Sequence, residues 1–314
     1  MNTELHRHLD VSLRLSTLLE LAQKKGLEAQ STSLEAFREK FVIHKPLDSL
    51  DAVLNEFTLF QKVLDRPEII ERVGSEVIED CWAEGTGTVE LRFSPLFVGE
   101  FSKLSWDEIL GSFERGIQRG LARHPEMKAG LICIASRNYG PEEVGRTVEF
   151  FLANQTRFIG IDLAGSEDSF PCRVFVESFR QAELAHANIT IHAGESGGPE
   201  NVWEAIELLG AKRIGHGIRS IEDPALVRKL REKRICLEVC PTSNWLTRCV
   251  SSFQDHPLGQ LLREGVPVSI NTDDPAIFGT TLPQEFEIAW KQIGLSNSEL
   301  AQCRKYAEQA SFIR

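Results

Sequence analysis

Nowhere in its 314 residues does the chain space two cysteines as C-x-x-C, and its cysteines are odd in number: Cys81, Cys133, Cys172, Cys236, Cys240, Cys249 and Cys303. That speaks against both a disulfide framework and a cysteine-clamped zinc, leaving reduced thiols in a cytoplasmic protein as the expectation. Cationic charge is short as well. The 35 Lys and Arg against 46 Asp and Glu leave a formal charge of −11, which removes the basic footprint that non-specific nucleic-acid binding needs. A small neutral substrate in one local pocket remains compatible with that charge. No apolar run approaches the roughly 20 residues that cross a bilayer, and Asn2 to Asp10 is polar where a secretory leader would be apolar. The expectation is a soluble chain that binds neither nucleic acid nor membrane; nothing in the sequence marks an oligomeric state. What remains is ordinary: 42% hydrophobic and 26% charged residues, enough for a sizeable core.

Short β-branched and aliphatic runs recur at Thr3–Leu9, Thr88–Ser94, Gly130–Ala135, Phe158–Ala164, Ile189–Ala193, Arg213–His216, Ile235–Cys240 and Val266–Asn271. Several are apolar at nearly every position, as in a parallel sheet covered on both faces. Helical patterns separate most of them: Trp106–Arg123, Pro141–Asn154, Arg173–His186, Pro199–Leu209 and Pro224–Lys233. Eight alternations predict a (β/α)8 TIM barrel, with a doubly wound open sheet as the alternative. The first connection is far longer than the rest. Residues 11–87 hold amphipathic patterns at Leu13–Lys24, Ser33–Phe41, Ser49–Leu64 and Pro67–Ala83, a helical insertion equally compatible with a substrate wall and with extra packing. No repeat or linker divides the chain, so residues 1–314 read as one barrel domain.

Polar residues gather at the carboxyl ends of the predicted strands. His6-Arg7-His8 puts two imidazoles on one side of a strand, for a metal or merely for packing. His192-Ala193-Gly194-Glu195 adds an imidazole and, past a glycine that permits a tight turn, a carboxylate. In Gly215-His216-Gly217 the flanking glycines offer little packing, which favours a polar role. Asp273-Asp274-Pro275 reads alone as a turn and helix cap; at a barrel mouth, adjacent carboxylates ask for a cation. The combination says more than its parts. Three histidines and an aspartate from strands one, five and eight meet only if the sheet closes, and such N/O ligation suits one zinc ion with a position left for water. Glu195 and His216 remain for proton transfer. The expected chemistry is hydrolysis.

These segments, with Val89-Glu90-Leu91-Arg92-Phe93-Ser94-Pro95, Gly160-Ile161-Asp162-Leu163-Ala164-Gly165 and Cys240-Pro241-Thr242-Ser243-Asn244, follow the order found in adenosine deaminases, and the chain resembles that family from Glu4 to about Phe312. The resemblance implies zinc ligation by His6, His8, His192 and Asp273, and protonation of the purine ring by Glu195. It implies that His216 orients and helps activate the attacking water. Asp274 would partner the imidazole-ring nitrogen of the purine, Gly165 its pyrimidine ring through a backbone N–H, and Asp10 the sugar 5′-hydroxyl, while Asp162 stands behind the ligands. The implied reaction turns adenosine or 2′-deoxyadenosine into inosine or its deoxy counterpart and ammonia.

One departure stands beside Asp10. Val11 occupies a position where the family usually has glycine, which puts the sugar side of the pocket in question and keeps open a deaminase of adenine or of a modified nucleoside such as 6-aminodeoxyfutalosine. A non-catalytic nucleoside-binding barrel is the remote alternative; a broken ligand set or a missing Glu195 would be its mark, and neither occurs. His44, His124, His186 and His256 read as surface or capping residues, Cys236 and Cys240 as buried thiols, and Arg92 as the partner of a core carboxylate.

Overall fold

Eight strands carry the fold: β1 (Asn2–His8), β2 (Thr86–Phe93), β3 (Lys128–Ser136), β4 (Gly160–Ala164), β5 (Ile189–Ala193), β6 (Arg213–His216), β7 (Cys236–Val239) and β8 (Val268–Ile270). The structure, a computed structural model, describes residues 1–48, 52–53 and 56–313. Each strand pairs in parallel with the next, in sequence order. Beyond the end of β8 the ring closes on β1: His8 N donates to Asp273 O and Asp273 N to His6 O, each at 3.0 Å. That closure makes a (β/α)8 barrel and removes the open-sheet alternative.

The two faces of the sheet differ in a way the apolar reading of the strands missed. Val89, Leu91, Phe93, Ile161, Leu163, Ile189, Ile191, Leu237 and Val239 pack in the hydrophobic core. The alternate residues, Glu90, Arg92, Asp162, Thr190, Arg213 and Glu238, bond to one another across the strands and are equally buried. Arg92 Nη1 donates to Asp162 at 2.8 Å and Nη2 to Glu238 at 2.7 Å; Arg213 donates to Glu238 and Glu90, both at 2.7 Å. Buried charges persist only when paired and hydrogen-bonded, and here each guanidinium spans two carboxylates. Phe312 lies against Arg213, its ring centroid 3.6 Å from the guanidinium carbon.

The long first connection folds as helices at Leu15–Lys24, Leu34–Phe41, Thr58–Val63 and Pro67–Ala83. Of the expected helix Ser49–Leu64, residues 49–51, 54 and 55 lie outside the described residues. Ser33 caps its helix by accepting from Ala36 N, and Pro67 sits in the first turn of its own, where its missing N–H costs nothing. Phe37, Phe41, Phe57 and Phe60 pack ring on ring, with Phe41 and Phe60 centroids 5.3 Å apart. Burying each such ring stabilises the insertion by roughly 1.5–3 kcal/mol. Among the described residues no helix is long and apolar enough to cross a membrane.

Candidate active site

The strand ends present the candidate residues together. β1 offers His6 and His8 with ring centroids 5.3 Å apart, His192 is the last but one residue of β5, β6 ends at His216, and Asp273 and Asp274 follow β8. One ligand atom from each of His6, His8, His192 and Asp273 lies within 4.8 Å of the others. His216 at φ 58° and Asp273 at φ 65° adopt left-handed backbone, a conformation that side-chain-bearing residues rarely hold and that is costly away from a functional need.

The donor set fits a zinc ion on three observations. His6 Nε2 is buried without a hydrogen-bond partner. The His6 and His8 Nε2 atoms stand 3.3 and 3.2 Å from Asp273 Oδ1, about the edge of a tetrahedron with metal–ligand bonds of about 2.0–2.1 Å. Behind the ring, His6 Nδ1 meets Glu238 Oε2 at 2.9 Å and His192 Nδ1 meets Asp162 at 3.0 Å. Burial pushes both carboxylates up, but Arg92 and Arg213 hold Glu238, and His192 and Arg92 hold Asp162, well below the usual carboxylate range. An ionised carboxylate only accepts, so each Nδ1 carries the hydrogen and each Nε2 turns its lone pair into the site. Burial also lowers His192 to about 4, keeping it neutral as a ligand must be.

Beside this set lie groups with the opposite tendency. Glu195 is pushed well above its ordinary value by burial and by the carboxylates of Asp273, Glu167 and Asp274. Its Oε2 is 3.5 Å from His216 Nε2, and its Oε1 accepts from Thr247 Oγ1 at 3.4 Å. His216 Nε2 is also 3.7 Å from Asp273 Oδ2. Asp274 is raised by burial, then by Asp273 and Asp10, and its Oδ1 is buried without a partner. Asp10 accepts from Ser94 N at 2.9 Å, and burial raises it to about 6.

Two connected hollows run through these residues. A small one of about 50 Å³ is lined by His8, His192, Glu195, His216, Asp273 and Asp274. An outer one of about 420 Å³ shares His8, Phe57, Ala164 and Gly165 with it and continues past Asp10, Gln61, Glu100 and Tyr139. The insertion therefore walls the pocket through Phe57, Thr58 and Gln61. Gly165 stands at the junction with φ 110°, where a Cβ would fall 2.2 Å from Asn138 Oδ1. Gly194, at φ 69°, makes the turn expected between His192 and Glu195. Val11 faces the outer hollow beside Asp10 without displacing it.

The sequence reading missed several residues of the site. Glu167 accepts from Gly194 N at 2.7 Å and Glu195 N at 2.9 Å, fixing that loop. Glu238 was visible as a lone charge amid apolar β7 residues. His256 is a partial correction: it accepts from Leu258 N where the helix Leu258–Arg263 begins, as a capping residue would, but it is buried rather than at the surface and also bonds to Asn244, whose amide reaches His216 Nδ1. Its place before Pro257 and Leu258 signals the helix start that follows, but not the contact with Asn244.

The sequence profile of the family described as Adenosine deaminase matches residues 2–314. An adenosine deaminase of Vibrio parahaemolyticus is 39% identical over 311 residues, covering 99% of this chain and 93% of that protein. Among solved structures, an adenine deaminase from Arthrobacter aurescens superposes with a TM-score of 0.90 at 27% identity, covering 100% of this chain and 94% of that one. An amidohydrolase from Burkholderia ambifaria with bound Zn gives 0.90 at 25%, covering 100% and 86%. The N6-methyl-AMP deaminase from Arabidopsis thaliana gives 0.84 at 28%, covering 100% and 92%.

Proposed function

The chain belongs to the adenosine deaminase family, aminohydrolases of cyclic amidines, and from that premise we propose that it uses one zinc ion to convert adenosine and 2′-deoxyadenosine, with water, to inosine or 2′-deoxyinosine and ammonia. The observation that carries the reading is the meeting, in one barrel mouth, of an N/O donor set and a buried carboxyl, Glu195, pushed upward by burial and by the carboxylates around it. Residues 1–314 act as one domain in this reading. His6, His8, His192 and Asp273 would hold the ion, which when bound lowers the pKa of a water from about 15.7 towards about 7.

The remaining work falls to side chains. Attack at the carbon bearing the amino group breaks aromaticity, so the neighbouring ring nitrogen must gain a proton as the C–O bond forms. Glu195, protonated and inside the same hollow, delivers it. Of the two protons of water, one ends on that nitrogen and the other leaves with ammonia, while the oxygen stays on the ring. His216 orients and helps activate the water. Asp274, also held protonated, donates to the imidazole-ring nitrogen of the purine and gives its unpartnered carboxyl a role. Gly165 brings a backbone N–H to the pyrimidine ring, and Asp162 keeps His192 aligned.

The outer hollow supports a nucleoside. Asp10, Gln61, Ser94, Ser136, Asn138 and Tyr139 give it polar walls for ribose hydroxyls, and no Lys or Arg lines it among the described residues. A phosphate would want such cations, whereas Asp10 and Glu100 repel it; the Arabidopsis relative is named for a nucleotide substrate. Free adenine, suggested by the Arthrobacter neighbour, would leave the outer hollow of about 420 Å³ unfilled. The test is a panel of adenosine, 2′-deoxyadenosine, 5′-deoxyadenosine, adenine, 6-aminodeoxyfutalosine and AMP, with zinc measured on the same sample. Adenosine and its 2′-deoxy form should lead. A faster rate with adenine or with a bulky 5′-substituted nucleoside overturns the substrate assignment. Asp10→Ala should cost adenosine roughly 10-fold or more, the worth of a hydrogen bond to a charged group, and 5′-deoxyadenosine far less. Equal losses remove Asp10 from the sugar site.

A further inference from the structure

A chain of four hydrogen-bonding groups leads into the site from outside it. Leu258 N lies 3.1 Å from His256 Nδ1; His256 Nε2 lies 3.2 Å from Asn244 Oδ1; Asn244 Nδ2 lies 3.0 Å from His216 Nδ1. His216, Asn244 and His256 are 1%, 0% and 5% exposed, so water offers little competition along the path. From these contacts we infer that Asn244 and His256 are positioning residues that lock His216 as the tautomer bearing its hydrogen on Nε2.

The proton positions follow one from the next. A backbone N–H only donates, so His256 Nδ1 is an acceptor and bears no hydrogen. His256 is then neutral with its hydrogen on Nε2, and that N–H donates to Asn244. The partner atom must be the amide oxygen, because an NH₂ there would set donor against donor; this removes the usual ambiguity in amide orientation. The Asn244 NH₂ is left facing His216 Nδ1, and it too only donates. His216 Nδ1 is therefore unprotonated and Nε2 carries the hydrogen, aimed between Glu195 Oε2 and Asp273 Oδ2 at 3.5 and 3.7 Å.

The consequence concerns the order of proton movement, and it rests on the role proposed above for His216. With Nε2 already protonated and Nδ1 occupied, His216 enters the reaction as a hydrogen-bond donor towards the incoming oxygen. It does not take the first proton. Misassigned tautomers are costly: in a serine protease triad, replacing the aspartate that orients the histidine lowers turnover about 10⁴-fold.

The tautomer is read directly on resting protein, without substrate. Protein labelled with ¹⁵N-histidine gives a long-range ¹H–¹⁵N correlation spectrum in which the two neutral tautomers and the imidazolium have distinct patterns, and His216→Gln identifies the His216 signals. The expected result is the Nε2–H pattern at neutral pH. Asn244→Asp replaces the donor by an acceptor of the same shape and should move His216 to the Nδ1–H or doubly protonated pattern, with kcat falling roughly 10²–10⁴-fold and KM changing less than about threefold. His256→Leu should give mixed tautomers and a smaller loss in kcat, and His256→Gln, which keeps a donor and an acceptor, should restore both the pattern and part of the rate. An Nδ1–H pattern in the unaltered protein overturns the inference, as does an Asn244→Asp protein with unchanged pattern and rate. Because the spectrum needs no turnover, an Nε2–H pattern in a protein that prefers adenine would sink the substrate reading alone.

Discussion

Glu238 and Glu195 are buried carboxylates of one barrel whose protons are held in opposite directions. Glu238, inside the barrel behind His6, accepts from Arg92, Arg213, Thr190 and His6 and is held far below its ordinary range. Glu195, at the mouth, accepts from Thr247, lies beside His216 and is driven far above it by burial and by the carboxylates of Asp273, Glu167 and Asp274. Burial acts on both alike; the guanidiniums beside Glu238 and the carboxylates beside Glu195 decide the sign. The interior thus pairs Glu90, Asp162 and Glu238 each with a guanidinium, whereas the mouth keeps unpartnered atoms on His6 and Asp274, where the proposed cation and ligand would sit.

That contrast is most severely tested by taking the cation away. Stripping zinc with a strong chelator should reduce deamination to background and lower Tm, since an ion that binds only the folded state stabilises it; added zinc should restore both. His192→Ala should show the same loss without recovery. A His192→Ala protein with full metal content and activity would remove His192 from the ligand set.

Glu195→Gln should retain zinc and fold but lose roughly two to four orders of magnitude in turnover. Its unfolding free energy should hold or rise, because a carboxyl crowded by other carboxylates is replaced by a neutral amide. Near-normal turnover of adenosine would place the proton donor elsewhere.

Breaking the interior should produce the converse signature. Arg92→Met leaves Asp162 and Glu238 buried without their shared cation, and removing one partner of a buried pair costs about 3–5 kcal/mol. Denaturant unfolding reads that number. An unaltered midpoint would mean that Arg92 is not what keeps those carboxylates ionised.

Glu285 separates burial from pairing. It is as inaccessible as Glu238 and accepts from Thr242 N and Thr280 Oγ1, but among the described residues no cation meets it, and burial raises it to about 7. A carboxyl raised in the folded state contributes stability that is full below its unfolded pKa, about 4.5, and is lost as pH rises through about 7. Stability should therefore decline across that window by up to about 3 kcal/mol on this account, and Glu285→Gln should flatten the decline. An identical slope in both proteins would mean that Glu285 titrates normally.

How much of this could be read beforehand differs between the same two regions. At the mouth, the i, i+2 histidines of β1, the turn at Gly194 and the paired aspartates before Pro275 stood out as local segments, whereas Asp10, Gly165 and Asp162 were reached only through the family resemblance. In the interior, Arg92 was expected to meet a core carboxylate and does, yet Glu238 and Arg213 passed unremarked within strands taken as apolar. For His256 the helix start was legible, and it does accept from Leu258 N there, but its burial and its bond to Asn244, 12 residues earlier, arise only through the fold.

By itself the sequence determined the number and order of the strands, the long helical insertion and the identity of the residues at each strand end. Those properties rest on side-chain periodicity and turn chemistry, which act over a few residues. Only the tertiary structure decided which charges neutralise one another, which carboxyls keep their protons and which way the imidazoles face. His6 and Glu238 are 232 residues apart, and an ionic or hydrogen-bonded interaction depends on final separation and on exclusion of water, neither of which exists until the barrel has closed.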